Sequence, residues 1–265
     1  KNVVVARGNR FPLVIQARRG NFSGALALST KDFPPGITLH AAPMASNKTS
    51  QTIVFEAAAD APIGGNLGDL MGKLMGEKVA DISGGIWQNY DLVQNGNRGV
   101  YYKTWVDKMA AVVVEELPFK IRIEEIKAPL VRAGTLPLKI IAERKEGFKG
   151  NINVRMLTRP SGLSCSSNIN IPAGKDEITY LFSANSSAEI LDHKIAMLGT
   201  ATVSGATAYV STQLTSLKIA DNFMVGKIIP ATTTQGYPTA LNQTMSGKLH
   251  ADCVQNVRKH NKLNP

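Results

Sequence analysis

Residues 18–37 read Arg-Arg-Gly-Asn-Phe-Ser-Gly-Ala-Leu-Ala-Leu-Ser-Thr-Lys-Asp-Phe-Pro-Pro-Gly-Ile, and residues 144–163 read Arg-Lys-Glu-Gly-Phe-Lys-Gly-Asn-Ile-Asn-Val-Arg-Met-Leu-Thr-Arg-Pro-Ser-Gly-Leu. Phe22, Gly24, Pro34 and Gly36 recur as Phe148, Gly150, Pro160 and Gly162, each 126 residues further on, and Gly8 pairs with Gly134 in the same register. One inserted residue later the spacing is 127, with Thr52, Phe55, Ala57, Ala61, Ile63 and Gly72 matching Thr179, Phe182, Ala184, Ala188, Ile190 and Gly199. Internal repetition outranks local propensity in reading a fold, because each copy must be one structural unit.

Within each copy the hydrophobic period is two. Leu13, Ile15 and Ala17 alternate with Val14, Gln16 and Arg18, and Leu138, Ile140 and Ala142 alternate with Lys139, Ile141 and Glu143. This is the signature of half-buried strands. Pro34-Pro35-Gly36-Ile37 and Pro160-Ser161-Gly162-Leu163 read as loops, where proline fixes φ and glycine permits positive φ. Further strands are expected at Ile53-Val54-Phe55 and Tyr180-Leu181-Phe182, then at 66–74 and 193–201, and last near 110–114 and 209–217. Leu67, Leu70, Met71 and Leu74 mimic a helical spacing, but the matching stretch, 194–203, is rich in β-branched and small residues. Ile63-Gly64-Gly65-Asn66-Leu67-Gly68 is read as a turn. Many short strands with turn signals between them predict an all-β chain of tandem Ig-like antiparallel β-sandwiches. The expected domains are 1–116, 117–220, and a partial third repeat or tail at 221–265.

The copies disagree in two places. Between Gly76 and Pro118 the first holds about twenty extra residues, including Trp87, Tyr90, Tyr101, Tyr102 and Trp105 around Asn95-Gly96-Asn97. Asn-Gly between apolar and aromatic residues signals a hairpin. Two readings are open: an elongated hairpin covering its own sheet, or an aromatic patch presented to a protein partner or a sugar. These five aromatics are the candidate contact residues. The second disagreement is a strand, Phe119-Lys120-Ile121-Arg122-Ile123, that leads the second copy and has no counterpart in the first. Phe223-Met224-Val225 resembles it and lies after the second copy. Gly236-Tyr237-Pro238 and Ser246-Gly247-Lys248-Leu249 then look like the start of a third copy.

The blocks Arg-Arg-Gly-Asn-Phe-Ser-Gly (18–24), Phe-Pro-Pro-Gly-Ile (33–37) and Ala-Ala-Asp-Ala-Pro-Ile-Gly (58–64) resemble a recurrent bacterial Ig-like module. The second copy offers Arg-Lys-Glu-Gly-Phe-Lys-Gly (144–150), Arg-Pro-Ser-Gly-Leu (159–163) and Ile-Pro-Ala-Gly-Lys (171–175). Such modules look like those of large exported planctomycete-type proteins, beside pre-peptidase or sugar-binding-associated domains. The resemblance covers most of residues 1–220. It implies an Ig-like fold and an exported location, and it says almost nothing about activity, because its motifs are structural turns.

Composition narrows the function classes. Hydrophobic residues at 43% and charged residues at 19% are those of a folded chain of 265 residues. No apolar run approaches the roughly 18 to 20 residues of a membrane-spanning helix, and no signal peptide is visible. A formal charge of +10 points toward acidic partners. Yet aromatics, at 6%, do not interleave with the basic residues as a platform for single-stranded nucleic acid requires. Arg18-Arg19 and Arg144-Lys145 fall at equivalent repeat positions and read as a solvated strand end. Cys165 stands where the first copy has Leu39 and reads as a buried, inert thiol, with a Cys165–Cys253 bridge as the alternative in an oxidising compartment.

Enzymatic motifs are missing. His40, His193, His250 and His260 are scattered, there is no Gly-x-Ser-x-Gly elbow or Walker loop, and Asp60, Asp69, Asp81 and Asp91 lack calcium-loop spacing. No catalytic residue, metal or cofactor is therefore expected. Asn-x-Ser/Thr triplets at Asn21, Asn47, Asn185 and Asn242 matter only in a glycosylating pathway.

The leading expectation is a non-catalytic exported structural or adhesive protein, at the cell surface or in the periplasm, whose partners are other protein subunits in a homo-oligomer or larger assembly. Its sharper form is polymerisation by strand donation, with Phe223, Val225 and Ile228 entering the first sandwich of the next molecule. The alternative is a carbohydrate- or cell-envelope-binding module in which the aromatic hairpin and basic surface hold an acidic glycan. Nucleic-acid binding is the weakest reading, and it requires a steep salt dependence.

Overall fold

The computed structural model describes residues 2–76 and 82–221. The chain as far as Ala220 forms one compact unit. Its strands in the first repeat are β1 (Val3–Ala6), β2 (Arg10–Gln16), β3 (Leu26–Lys31), β4 (Ile37–His40), β5 (Ser50–Ala57), β6 (Gly64–Leu74), β7 (Ser83–Gly85), β8 (Gln88–Gln94), β9 (Val100–Val106) and β10 (Met109–Val114). One sheet has the order β2-β5-β4, and the other has the order β1-β10-β6-β3 with β7 added beside β6. Among the described residues β8 and β9 pair only with each other.

The second repeat supplies β11 (Phe119–Ile123), β12 (Leu130–Val131), β13 (Thr135–Arg144), β14 (Ile152–Met156), β15 (Leu163–Cys165), β16 (Ile169–Ile171), β17 (Glu177–Ala184), β18 (Asp192–Ile195), β19 (Met197–Val203), β20 (Ala206–Ser211) and β21 (Thr215–Ala220). One sheet is β11-β13-β17-β15; facing it, β16-β14-β19-β20 continues into β12-β21-β18. The pairings are antiparallel except β1 with β10 and β12 with β21, which occupy the same place in the two sandwiches. The all-β, tandem Ig-like reading holds.

Alternation along the strands builds the cores. In β13, Leu138, Ile140 and Ala142 are buried while Lys139 and Ile141 are only half-buried. In β11, Phe119, Ile121 and Ile123 are buried and Arg122 is exposed. At about 1.5–3 kcal/mol for each large apolar side chain, these three make β11 a principal contributor to the second core. That core is one continuous cluster including all three. The first sandwich holds two separate clusters instead: Val3, Val5, Leu13, Ile53 and Phe55 with their neighbours, and a small one of Leu26, Met44 and Leu74.

The sheet registers revise the repeat alignment at its start. Phe11 faces Phe55 and Leu136 faces Phe182, so β2 and β13 are equivalent at a spacing of 125. Gly8 therefore corresponds to Ala133, not to Gly134; both adopt positive φ, at 60° and 56°. The glycine identity is accidental, and what repeats there is the turn. At this spacing Arg7, Pro12, Leu13, Ile15, Ala17 and Arg19 match Arg132, Pro137, Leu138, Ile140, Ala142 and Arg144.

Both arginines are structural. Arg7 Nε donates to the Ala61 carbonyl at 2.7 Å, and Arg132 Nε donates to the Ala188 carbonyl at 2.8 Å. Each of these alanines packs against the glycine of the Pro-x-Gly loop. A Cβ on Gly36 would lie 2.7 Å from Ala61 Cβ, and one on Gly162 would lie 2.6 Å from Ala188 Cα, while both glycines hold φ near +80°. Arg19 donates to the carbonyls of Lys48, Met44 and Ala45, and Arg144 to those of Lys175, Gly150 and Pro172. The predicted solvated strand end is thus a clasp: the Arg144 side chain is only 7% exposed, and its guanidinium lies over the Phe148 ring.

Two other expectations change. Gly64–Gly68 is strand, not turn, because it pairs with β10 and because Gly68 leaves room for the Phe33 ring, which stacks on Phe55. The counterpart of β10 is β21, at Thr215–Ala220, rather than 209–217. Cys165 faces Phe182 as Leu39 of the first repeat faces Phe55, but it is half-buried rather than buried. Cys253, and with it any Cys165–Cys253 bridge, lies outside the described residues.

Candidate functional site

The aromatic insert enters the fold at a break in one strand. β20 and β21 are successive parts of a strand interrupted at 212–214. In the first sandwich β7 takes the place of the end of β20, with Gly85 facing Met71 as Ser211 faces Leu198, and β10 takes the place of β21. Residues 87–108 thus stand where the second sandwich has only Gln213 and Leu214. An insertion at an existing break leaves the ladders on either side intact.

Its base is fastened. Gln88 is buried and its Nε2 donates to the Lys108 carbonyl at 3.2 Å. Lys108 Nζ lies 2.7 Å from Asp69 on β6, and this hydrogen-bonded partner raises the lysine pKa. Beyond the base the hairpin stands in solvent: every residue of β8 after Gln88 is exposed. It therefore does not cover its own sheet. Trp87, Tyr101 and Trp105 are 64%, 73% and 51% exposed, and Tyr90 and Tyr102 are also exposed. The two tryptophan rings stack with centroids 4.0 Å apart. The turn spans 95–99 rather than a tight Asn-Gly pair. Asn95 Oδ1 accepts from the Asn97 and Gly99 amides, and Arg98 takes the positive φ, at 62°.

The second feature was not foreseen. Between the sheets of the first sandwich lies an open groove of about 740 Å³, lined by Ile15, Ala17, Phe22, Gly72, Trp87 and Trp105 among others. In the second sandwich the equivalent space is filled. There β11 pairs with β13, setting Phe119 opposite Arg144, Ile121 opposite Ala142 and Ile123 opposite Ile140. The matching residues of β2 and its extension are Arg19, Ala17 and Ile15, and no strand pairs with that edge of β2 among the described residues. Phe119 stacks on Phe148, whose counterpart Phe22 lines the groove. Ile121 lies so close to Gly199 that a Cβ there would meet its Cδ1 at 2.7 Å, and the counterpart Gly72 lines the groove too. Gln213, at the place of Trp87, holds the end of β11 by accepting from the Ile123 amide and donating to its carbonyl. The tryptophan pair therefore stands at the rim of the groove, where β11 is anchored in the other sandwich.

Strict alignment of the copies at 125 would have shown Arg19 and Arg144, hence the clasp and the position of the unmatched strand. Phe223, Val225 and Ile228, the predicted donors, lie outside the described residues. Among the described residues several basic side chains are paired: Arg10 with Glu56, Lys139 with Glu177, Lys145 with Glu116, and Arg144 with Asp176. Lys48 of the first repeat meets Glu189 of the second at 2.5 Å, and this bond holds the Glu189 carboxyl below its usual pKa. His40 meets Glu56, and His193 Nε2 lies 3.1 Å from the Glu189 carbonyl, so these two histidines belong to separate local contacts; His250 and His260 lie outside the described residues. No helix among the described residues is long and apolar enough to cross a membrane.

No family profile matches the chain, and no curated protein matches it by sequence. Among solved structures it is similar to the D00-D0 domain of intimin, at 8% identity and a TM-score of 0.26 over 82% of this chain and 96% of that one. It is also similar to domains 4–9 of the surface layer protein SbsC, at 13% identity and a TM-score of 0.29, over 86% of this chain and 31% of that one. Fibronectin(III)-like modules of Clostridium thermocellum CbhA match at 9% identity and a TM-score of 0.24, over 83% and 90%.

Proposed function

We propose that this chain is a non-catalytic building block of an exported, surface-associated protein assembly. Its repeated residues make rigid β-frames, and its contacts are made where the two frames differ. The carrying observation is the groove of the first sandwich, open where β11 fills the second. In this reading a strand of one molecule, through Phe223, Val225 and Ile228, completes the first sandwich of the next, giving head-to-tail assembly. The test is light scattering of the full chain over a concentration series, compared with Phe223→Asp and Val225→Asp. Growth of assemblies in the parent and their loss in both variants is expected. A monomer at every concentration would overturn the reading.

A second reading rests on the stacked, exposed Trp87 and Trp105, an arrangement suited to the face of a sugar ring. It predicts retention on acidic cell-envelope polysaccharide that is lost in Trp87→Ala and Trp105→Ala. Unchanged retention would count against it.

A further inference from the structure

We infer that the two sandwiches are locked into one rigid body that unfolds as a unit, and that the lock is the outer face of β2 and β5, seated on β19 and β20. Tandem domains move relative to one another unless the interface between them is large and apolar. A locked pair presents two frames at one fixed angle, whichever partner it meets and whether or not the chain assembles.

Alternation sends one set of side chains of β2 and β5 inward and the other set outward. Leu13, Ile53 and Phe55 belong to the first core. In a free-standing sandwich the outward set would be solvated, yet Pro12, Thr52 and Val54 are buried. Val54 has no exposed surface, and it belongs to none of the three core clusters. The second sandwich lays β19 and β20 against β2. Leu198 and Ser211, paired across those two strands, are buried as well, and Leu198 lies outside the second core. Polar contacts pin both ends of this face. At the Ala57 end of β5 the buried Asn9 side chain donates through Nδ2 to the Phe119 carbonyl at 2.9 Å. Its Oδ1 accepts from the Arg10 amide at 2.9 Å. At the Ser50 end the Thr52 and Thr158 hydroxyls lie 2.5 Å apart, and Lys48 Nζ meets the Glu189 carboxylate. A buried amide requires its hydrogen bonds to be made, so Asn9 fixes the junction as well as closing it.

The second sandwich supplies the internal control. Pro137, Thr179 and Leu181 stand where the first has Pro12, Thr52 and Val54, and all three are exposed. Leu181 is 54% exposed against 0% for Val54. Gly134 stands for Asn9, so the pinning amide is absent. The ion pairs Lys139–Glu177 and Arg122–Glu143 lie on the strands of this face, as befits a solvated surface. The same frame therefore keeps its fold with this face in water. Burial of Val54 is a property of the junction and not a requirement of the sandwich, and a charged side chain at 54 leaves the inward set of β5 in place.

Trp87 and Trp105 are the two tryptophans of the chain and both belong to the first repeat, so their fluorescence follows that sandwich. Hydrogen exchange resolved by peptide follows the second. In a urea series the full chain should lose both signals at one midpoint, the mark of a single cooperative unit. Residual dipolar couplings of amides in residues 2–76 and 82–114 should fit the same alignment tensor as those in 119–220. Val54→Asp puts a charge into the junction. It should split the midpoints, with the fluorescence transition moving to lower urea, and the couplings should then require two tensors. Leu181→Asp, at the matching place, should leave one midpoint and one tensor. Two midpoints or two tensors in the parent overturn the lock, and so does a folded Val54→Asp that behaves as Leu181→Asp does. If Val54→Asp does not fold, the parent's tensors and midpoints decide the matter by themselves.

Discussion

In the second sandwich Ile121 presses on Gly199, while in the first Gly72, at the same place, faces an open groove. Around these two glycines the frames are alike: the same arginine clasps, the same Pro-x-Gly corners, the same parallel pairing of β1 with β10 and β12 with β21. Among the described residues the sandwiches differ in β11 and in the β8–β9 hairpin, and both differences meet at the groove. Duplicated structure fixes what must be kept for folding, and departures from the duplicate mark where a contact is made or missing.

The largest effect expected from this comparison is in the filled copy. Phe119→Ala removes a buried ring stacked on Phe148 and should cost about 3–5 kcal/mol in a denaturant melt. Phe22→Ala, in the open copy, should cost less than half as much. Equal losses would mean that Phe22 is packed as tightly as the ring stack of Phe119 on Phe148.

The clasps give the next contrast. Arg144→Ala leaves three carbonyls without their donor in a site that shields the guanidinium, for a loss of about 2–3 kcal/mol. Arg19→Ala removes the equivalent clasp without the ring beneath it, and a smaller loss is expected. The glycines sharpen the comparison further. Gly199→Ala forces a Cβ to within 3.0 Å of Val210 and closer still to Ile121, which should cost about 1–3 kcal/mol. Gly72→Ala should lie within about 0.5 kcal/mol of the parent, since it meets nothing nearer than 3.7 Å. Reversal of that order would remove the geometric basis for the groove.

The smallest effect is electrostatic. Hydrogen bonding to Lys48, opposed by some desolvation, depresses the Glu189 pKa in the folded state. Its stabilisation is therefore present above the unfolded carboxylate pKa and is lost as pH falls through the lower folded value. The pair is partly exposed, so the effect is modest and salt-sensitive. Glu189→Gln should flatten the acid limb of the stability–pH curve slightly. An unchanged limb would show that Lys48 and Glu189 do not fasten the two repeats.

How much of this was legible in the chain depended on what kind of signal each part leaves. The strands were, because alternation such as Leu138, Ile140, Ala142 survives any choice of register. The hairpin was legible as an insert, though its exposure was not, since aromatics read the same over a sheet or in water. The arginine clasp was misread because Gly8 and Gly134 drew the alignment to 126, whereas β2 and β13 match at 125. The groove left no such signal, since its outline emerges only when Ile15, Ala17 and Gly72 are set against the residues that β11 covers. The predicted donors are a sequence match alone.

The most direct measurement is amide hydrogen exchange on monomeric full-length protein, read at Gln16 and Arg18 against their equivalents Ile141 and Glu143. Ala17 donates to the Thr49 carbonyl and Ala142 to that of Asp176, so the residues between them turn toward the first-strand position in each sandwich. Ile141 and Glu143, paired with β11, should exchange slowly, while Gln16 and Arg18 exchange far faster. Equal protection of the two pairs in the free monomer would contradict the account.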